Sequence, residues 1–225
     1  MGERRRDRKD DDGTADKEAR RALRREELLD AASEAIRRDG PAISMEAMAA
    51  AAGVTKPILY RHFGDRDGLV LALAGRFSTN LMAELQRSLA TAAEPRDLLA
   101  STIDTFVAFI EADPELYRFL VHRAAREEPG AADELQGFIR QVSQQVTLVL
   151  GEQMRLAGHD SGGAEPIAHG IVGMVHAAGD WWVDRRTMPR SRLVEYLTTV
   201  LWDGMVSLRL PAMPAEPVTA EETSR

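Results

Sequence analysis

An all-α protein is predicted by three observations on this 225-residue chain. No stretch alternates apolar and polar residues as a half-buried strand would, and apolar side chains instead recur at 3.6-residue spacing between Gly and Pro breaks. Residues 51–69, Ala-Ala-Gly-Val-Thr-Lys-Pro-Ile-Leu-Tyr-Arg-His-Phe-Gly-Asp-Arg-Asp-Gly-Leu, spell a helix end, a tight turn and a short second helix. The expected architecture is an N-terminal three-helix helix-turn-helix domain over 17–64 and a larger helical domain over 65–210, about nine helices in all. Residues 1–16, charged and almost without apolar side chains, and 211–225, with three prolines, are expected to be disordered.

Helix 1 is expected over 17–39, with Leu28, Leu29, Ala32, Ala35 and Ile36 at helical spacing and Gly40-Pro41 as the stop. Ser44 can cap helix 2, which runs through Met45, Met48 and the alanines at 49–52; Gly53 supplies the left-handed turn that ends it, and Val54 plugs that turn. Ala47 breaks the capping box that Ser44 could have formed. Thr55 is the expected N-cap of helix 3, and Pro57 sits in its first turn, where the missing N–H has no intrahelical partner to lose. Leu59 and Phe63 face inward together at i, i+4, which leaves Lys56, Pro57, Tyr60 and Arg61 outward. Gly64 stops the helix. Asp65 caps helix 4, whose first turn carries Arg66, a cation at an electropositive helix end, poor for the helix and useful for a phosphate; Gly68 stands where a better helix former is expected. Helix 4 is then expected at 65–91, helix 5 at 95–111, helix 6 at 114–127, helix 7 at 131–157, helix 8 at 164–186 and helix 9 at 190–209.

A helix-turn-helix whose second helix is basic and aromatic on its outer side is the build of a DNA-reading element. The segment resembles the DNA-binding signature of the TetR family of bacterial regulators over roughly residues 20–75, most strongly in Gly-Val-Thr-Lys-Pro and Leu-Tyr-Arg-His-Phe. The resemblance implies that Thr55, Lys56, Pro57, Tyr60 and His62 contact phosphates and base edges, that Arg66 takes the place of a lysine opening the next helix, and that Ser44 and Arg61 belong to the same surface. It also implies nine helices, a larger domain for ligand binding and dimerisation, a homodimer, a double-stranded DNA operator that is palindromic or nearly so, and a small-molecule effector. Without the turn geometry, Tyr60, Arg61 and His62 would read as an ordinary polar helix surface.

Composition agrees. The net charge of -7 divides unevenly: residues 1–66 carry 15 Lys and Arg against 14 Asp and Glu, and the remainder carries the acidic excess. DNA attraction must therefore come from local placement of Lys56, Arg61 and Arg66 rather than from a global field. Zero cysteines exclude a disulfide framework, a cysteine zinc site and thiol sensing. No apolar run approaches 18 residues and no signal peptide is visible, so a cytoplasmic protein without membrane association is expected. Arg4, Arg5, Arg6, Arg8 and Lys9 could form a DNA-binding arm, but Asp10, Asp11 and Asp12 follow at once and favour a solvated tail.

In the larger domain, Phe106, Phe109, Ile110, Leu116, Tyr117, Leu120, Phe138, Leu148, Met154, Met174, Trp181 and Trp182 are core candidates. The effector candidates among them are Phe106, Phe109, Ile110, Tyr117, Leu120, Phe138, Met154, Met174 and Trp181, with His176 as a polar member. His169, Gly173, His176 and Asp180 share one stripe of helix 8, yet the two histidines are two turns, about 10 Å, apart. A pocket or interface stripe is favoured over a metal site, and no metal or cofactor is assigned. Arg118, His122 and Arg126 form a polar face of helix 6, read as solvated rather than as a carboxylate clamp.

Gly170, Gly173, Ala177 and Ala178 allow close approach of a partner helix, and helix 9 adds Leu193, Val194, Leu197, Val200, Leu201, Trp202 and Met205. The residues expected at the dimer interface are Gly170, Gly173, Ala177, Leu193, Leu197, Leu201, Trp202 and Met205. The family resemblance implies a repressor released by its ligand, through the reciprocal coupling of ligand and DNA affinities; a ligand-assisted repressor and an activator are the alternatives. Residues 113–120 and 179–184 resemble members that govern lipid genes by sensing acyl-CoA, and a multidrug-type ligand is the rival. No nucleophile elbow, glycine-rich phosphate loop or HExxH helix supports an all-helical enzyme. A helical protein-binding module that has lost DNA is opposed by intact Lys56, Tyr60 and Arg66.

Overall fold

A computed structural model describes residues 3–89, 94–124, 129–156 and 158–207. Among these are nine α-helices and no strand: α1 (Glu3–Asp39), α2 (Met45–Ala51), α3 (Lys56–Phe63), α4 (Arg66–Leu89), α5 (Pro95–Ala112), α6 (Pro114–Arg118), α7 (Pro129–Leu156), α8 (Ala164–Arg185) and α9 (Arg190–Ser207). A π-helical segment, Phe119–Ala124, follows α6, and a 3-10 turn, Ser161–Gly163, leads into α8. The breaks fall where proline and glycine demanded them. Asp113 caps α6 by accepting from the Leu116 N–H, and Pro95 and Pro114 open their helices.

Two elements depart from expectation. Helix 1 begins at Glu3, not Lys17, so the charged stretch from residue 3 onward, expected to be disordered, belongs to the helix. Residues 3–16 contain no proline to stop the helix, and Arg4, Arg5, Arg6, Arg8 and Lys9 favour it, while Asp10, Asp11, Asp12 and Gly13 do not. Helix 6 is α-helical for five residues only. It widens into the π segment where Leu116, Tyr117, Phe119 and Leu120 are all buried within five positions. The tail over 211–225 lies outside the described residues.

The chain gathers into two compact units, Met1–Thr91 with Thr105–Phe138, and Ala92–Asp104 with Ile139–Arg225. In the first, α1 packs on α2, α4 and α6, and its Leu28, Leu29, Ala32, Ala35 and Ile36 are buried as the spacing predicts. Two arginines pin this helix. Arg76 of α4 reaches Asp30 at 2.7 Å, the Leu29 carbonyl and the Ser33 hydroxyl, and Arg37 grips Asp113 at 2.6 and 2.8 Å through two guanidinium nitrogens. In the second unit Trp182, Val183 and Ala168 of α8 and Leu193, Leu197 and Leu201 of α9 are buried. The Trp182 indole N–H donates to the Met188 carbonyl at 2.8 Å, tying the end of α8 to the following turn. No helix of the described residues is long and apolar enough to cross a membrane.

Candidate nucleic-acid interface

Short-range chemistry builds the turn between α2 and α3. Ser44, in extended backbone, accepts from the Ala47 N–H at 3.2 Å and opens α2. At the other end, Gly53 takes φ +66° and donates to Ala50, while Val54 donates to Ala49, both at 3.0 Å. This bond pair is the Schellman closure that glycine permits. Thr55 then occupies the N-cap position of α3, but its hydroxyl makes no cap hydrogen bond, contrary to expectation. The sequence supplies the reason. Pro57 has no N–H to give, and the Ile58 N–H is taken by Thr55's own carbonyl at 2.9 Å. The exposed hydroxyl is thereby left for an external acceptor or donor.

Leu59 and Phe63 of α3 are buried, and the opposite side presents Lys56, Pro57, Tyr60, Arg61 and His62, of which Pro57 and Arg61 are exposed and the others half-buried. Gly64 ends the helix at φ +89°, a conformation for glycine alone. Asp65 caps α4 by accepting from the Gly68 N–H at 2.8 Å, and half-buried Arg66 is the first residue of α4. Gly68 is not a weak helix former in the wrong place. A Cβ there would lie under 3.0 Å from the Phe63 carbonyl oxygen, so the close packing of the α3 end on the α4 start requires glycine.

Two features of this surface lie beyond sequence reasoning. Lys56 Nζ is held 2.7 Å from Glu46 of α2 and lies 5.5 Å from the centre of the Tyr60 ring. The hydrogen bond from Lys56 draws the Glu46 carboxyl below its ordinary range and raises the lysine in turn. The second feature is that α1 contributes cations. Arg25 lies over the Phe63 ring at 5.0 Å, and burial, with the charges of Arg61, Arg21 and Arg24, lowers the proton affinity of His62. Arginines 20, 21, 24 and 25 within one helical stretch are the available signal, but placing them needs the contact of Arg25 with Phe63.

The effector candidates divide between the units. Phe77 meets Phe109 edge-on at 5.0 Å and Tyr117 at 6.2 Å, and Ile110, Tyr117 and Leu120 are buried in the first unit, with Phe106 and Phe138 half-buried. In the second, Met154 is buried near Gly163 and His176 is half-buried. Met174 and Trp181, expected to line a cavity, are 42% and 44% exposed on α8. His169 is exposed, with Nδ1 3.0 Å from the Glu165 carbonyl, and among the described residues no group of three His, Cys, Asp or Glu is placed to hold a metal ion. His122 and Arg126 fall outside the described side chains.

The interface candidates also divide. Gly170, Gly173 and Ala177 are exposed, and no atom would meet a Cβ at either glycine within 4 Å. Leu193, Leu197 and Leu201, expected at the dimer interface, are buried within their own chain, at i, i+4, i+8 on one face of α9. The outer face instead carries Tyr196 and Val200, at 50% and 58% exposure. Trp202 is half-buried, and the Met205 side chain lies outside the described residues.

Residues 28–73 match the family model for bacterial regulatory proteins of the tetR family, and residues 84–210 match that of the tetracyclin repressor-like C-terminal domain. The chain is 33% identical over 186 residues to an uncharacterized HTH-type transcriptional regulator of Mycobacterium tuberculosis strain H37Rv, covering 82% of this chain and 78% of the relative. It is 31% identical over 184 residues to the HTH-type transcriptional activator FasR of Mycolicibacterium smegmatis, covering 81% and 83%. Among solved structures, the regulator FadR from Bacillus subtilis, in complex with stearoyl-CoA, shares the fold with a TM-score of 0.67 at 16% identity, over 79% of this chain and 97% of that one.

Proposed function

The chain belongs to the TetR family of bacterial transcriptional regulators, and from that premise we propose that it is a homodimeric repressor released from a palindromic operator by a hydrophobic small molecule of the fatty acyl-CoA type. The observation that carries the DNA-binding half is the outer side of α3. Thr55 offers a hydroxyl without a cap bond, and Lys56, Tyr60, Arg61 and His62 follow on the solvent side of a helix anchored by Leu59 and Phe63. Ser44, Pro57 and Arg66 frame that surface. The dimer is supported by the open face of α8, where Gly170, Gly173, Met174, Ala177 and Trp181 share one stripe, and by the exposed Tyr196 and Val200 of α9. The acyl-CoA reading is supported by the likeness to FadR bound to stearoyl-CoA and by the apolar ring cluster of Phe77, Phe109 and Tyr117.

An activator is the second reading, favoured by the relative FasR, which is named as one. Fluorescence anisotropy on the DNA upstream of the protein's own gene, against a scrambled duplex, tests the assignment. The wild type is expected to bind the native fragment selectively, Lys56→Ala with Tyr60→Ala to lose that binding while keeping fold and association, and stearoyl-CoA to weaken it. DNA affinity surviving the double change would refute the role given to α3; a reporter that falls silent on deletion of the protein would decide for the activator.

A further inference from the structure

We propose that α1 supplies a second DNA contact: Arg21, with Arg24 beside it, joins Arg61 and His62 in a basic strip that takes a backbone phosphate next to the groove read by α3. The proposal rests on the DNA-binding reading above and adds to it a surface on a different helix. Three observations carry it. The Arg25 guanidinium lies over the Phe63 ring, so this part of α1 meets the C-terminal end of α3; Arg21 stands one helical turn before Arg25 on the same side of α1, and the charges of Arg61, Arg21 and Arg24 all reach His62. Arg20 pairs with Asp16 and Arg24 with Glu27, whereas among the described residues Arg21 and Arg61 have no carboxylate partner. Both are exposed, so both can meet a phosphate without first breaking an ion pair.

The chemistry of the strip selects its occupant. Like charges that reach one half-buried imidazole repel one another until an anion arrives, and the planar donor fork of arginine suits the oxygens of a backbone phosphate. Duplex DNA presents such phosphates at regular intervals beside any groove that α3 enters, and binding of this kind carries no sequence preference.

The salt dependence of binding tests this without knowledge of the operator. With the full-length protein on a duplex of arbitrary sequence, each phosphate no longer neutralised should reduce the slope of log affinity against log salt by about 0.9. Arg21→Gln should therefore flatten the slope by about 0.9 per bound protomer. Between 50 and 200 mM salt its affinity deficit should shrink about 3.5-fold per phosphate. Arg21→Glu should weaken binding further, and Arg21→Lys should restore the wild-type slope. Arg87→Gln, which removes an exposed arginine of α4 outside the strip, should leave the slope unchanged. A slope unaltered by Arg21→Gln, while Lys56→Ala still weakens binding, overturns the strip and spares the reading helix. Absence of any salt-sensitive binding by the wild type overturns both.

Discussion

Gly170 and Gly173 lie in the middle of a 22-residue helix, where each costs about 1 kcal/mol relative to alanine. Among the described residues nothing accounts for that cost: both are exposed, and a Cβ at either meets no atom within 4 Å. If the chain worked alone, Gly170→Ala with Gly173→Ala would stabilise it by about 2 kcal/mol and raise Tm by about 4–8 °C. If the face of α8 receives a partner helix at the 8–10 Å axial distance that small residues permit, as proposed, the sign reverses, because two new methyl groups stand where the partner's backbone approaches. We expect the double variant to weaken association at least tenfold, about 1.4 kcal/mol, and to make Tm depend steeply on protein concentration. Sedimentation and thermal melts over a hundredfold concentration range read both. A Tm rise with unchanged association would refute the assignment of this face to a partner.

Gly68→Ala should lower Tm, because displacing the Phe63 carbonyl costs about 1–3 kcal/mol and outweighs the roughly 1 kcal/mol gained in helix preference; a melt at or above the wild-type Tm would show that the α3–α4 junction yields freely. The pH dependence of DNA binding should run through His62, which burial and the charges of Arg61, Arg21 and Arg24 hold below the ordinary imidazole range. A phosphate raises it again, so binding takes up a proton and affinity should grow as pH falls through about 6.5, by at most tenfold per pH unit for each protomer. The folded state of the DNA-free protein, in contrast, binds that proton less readily than the unfolded chain does, so its stability should decline as pH falls over the same interval. Both trends should flatten in His62→Gln, as measured by anisotropy and thermal melts from pH 7.5 to 5.5.

The legibility of this chain in its sequence follows the range of the forces involved. Ser44, Gly53, Pro57, Gly64 and Asp65 act over three or four residues, and each does what its chemistry demands at the position where it stands. Local rules misjudge Gly68, since the Phe63 carbonyl that excludes a Cβ belongs to the preceding helix. The inward side of α9 is harder still. Leu193, Leu197 and Leu201 alternate with Tyr196 and Val200, two apolar faces on one helix, and only packing decides which is covered. The Glu46–Lys56 pair spans ten residues and a turn, beyond the reach of any helical spacing rule.

That pair gives α3 a counterion of its own. On the DNA-binding reading proposed above, Arg21 and Arg61 would pull on a duplex from a distance, whereas Glu46 offsets part of the Lys56 charge until the surfaces touch. Docking on the proposed operator then exchanges one anion for another around the same ammonium, and the displaced carboxylate must turn away from the phosphates. Where the groove does not draw Lys56 away, the pair stays intact and the lysine adds little attraction. In this reading attraction and recognition fall to different side chains, which would let the protein travel along unrelated DNA without being held by it.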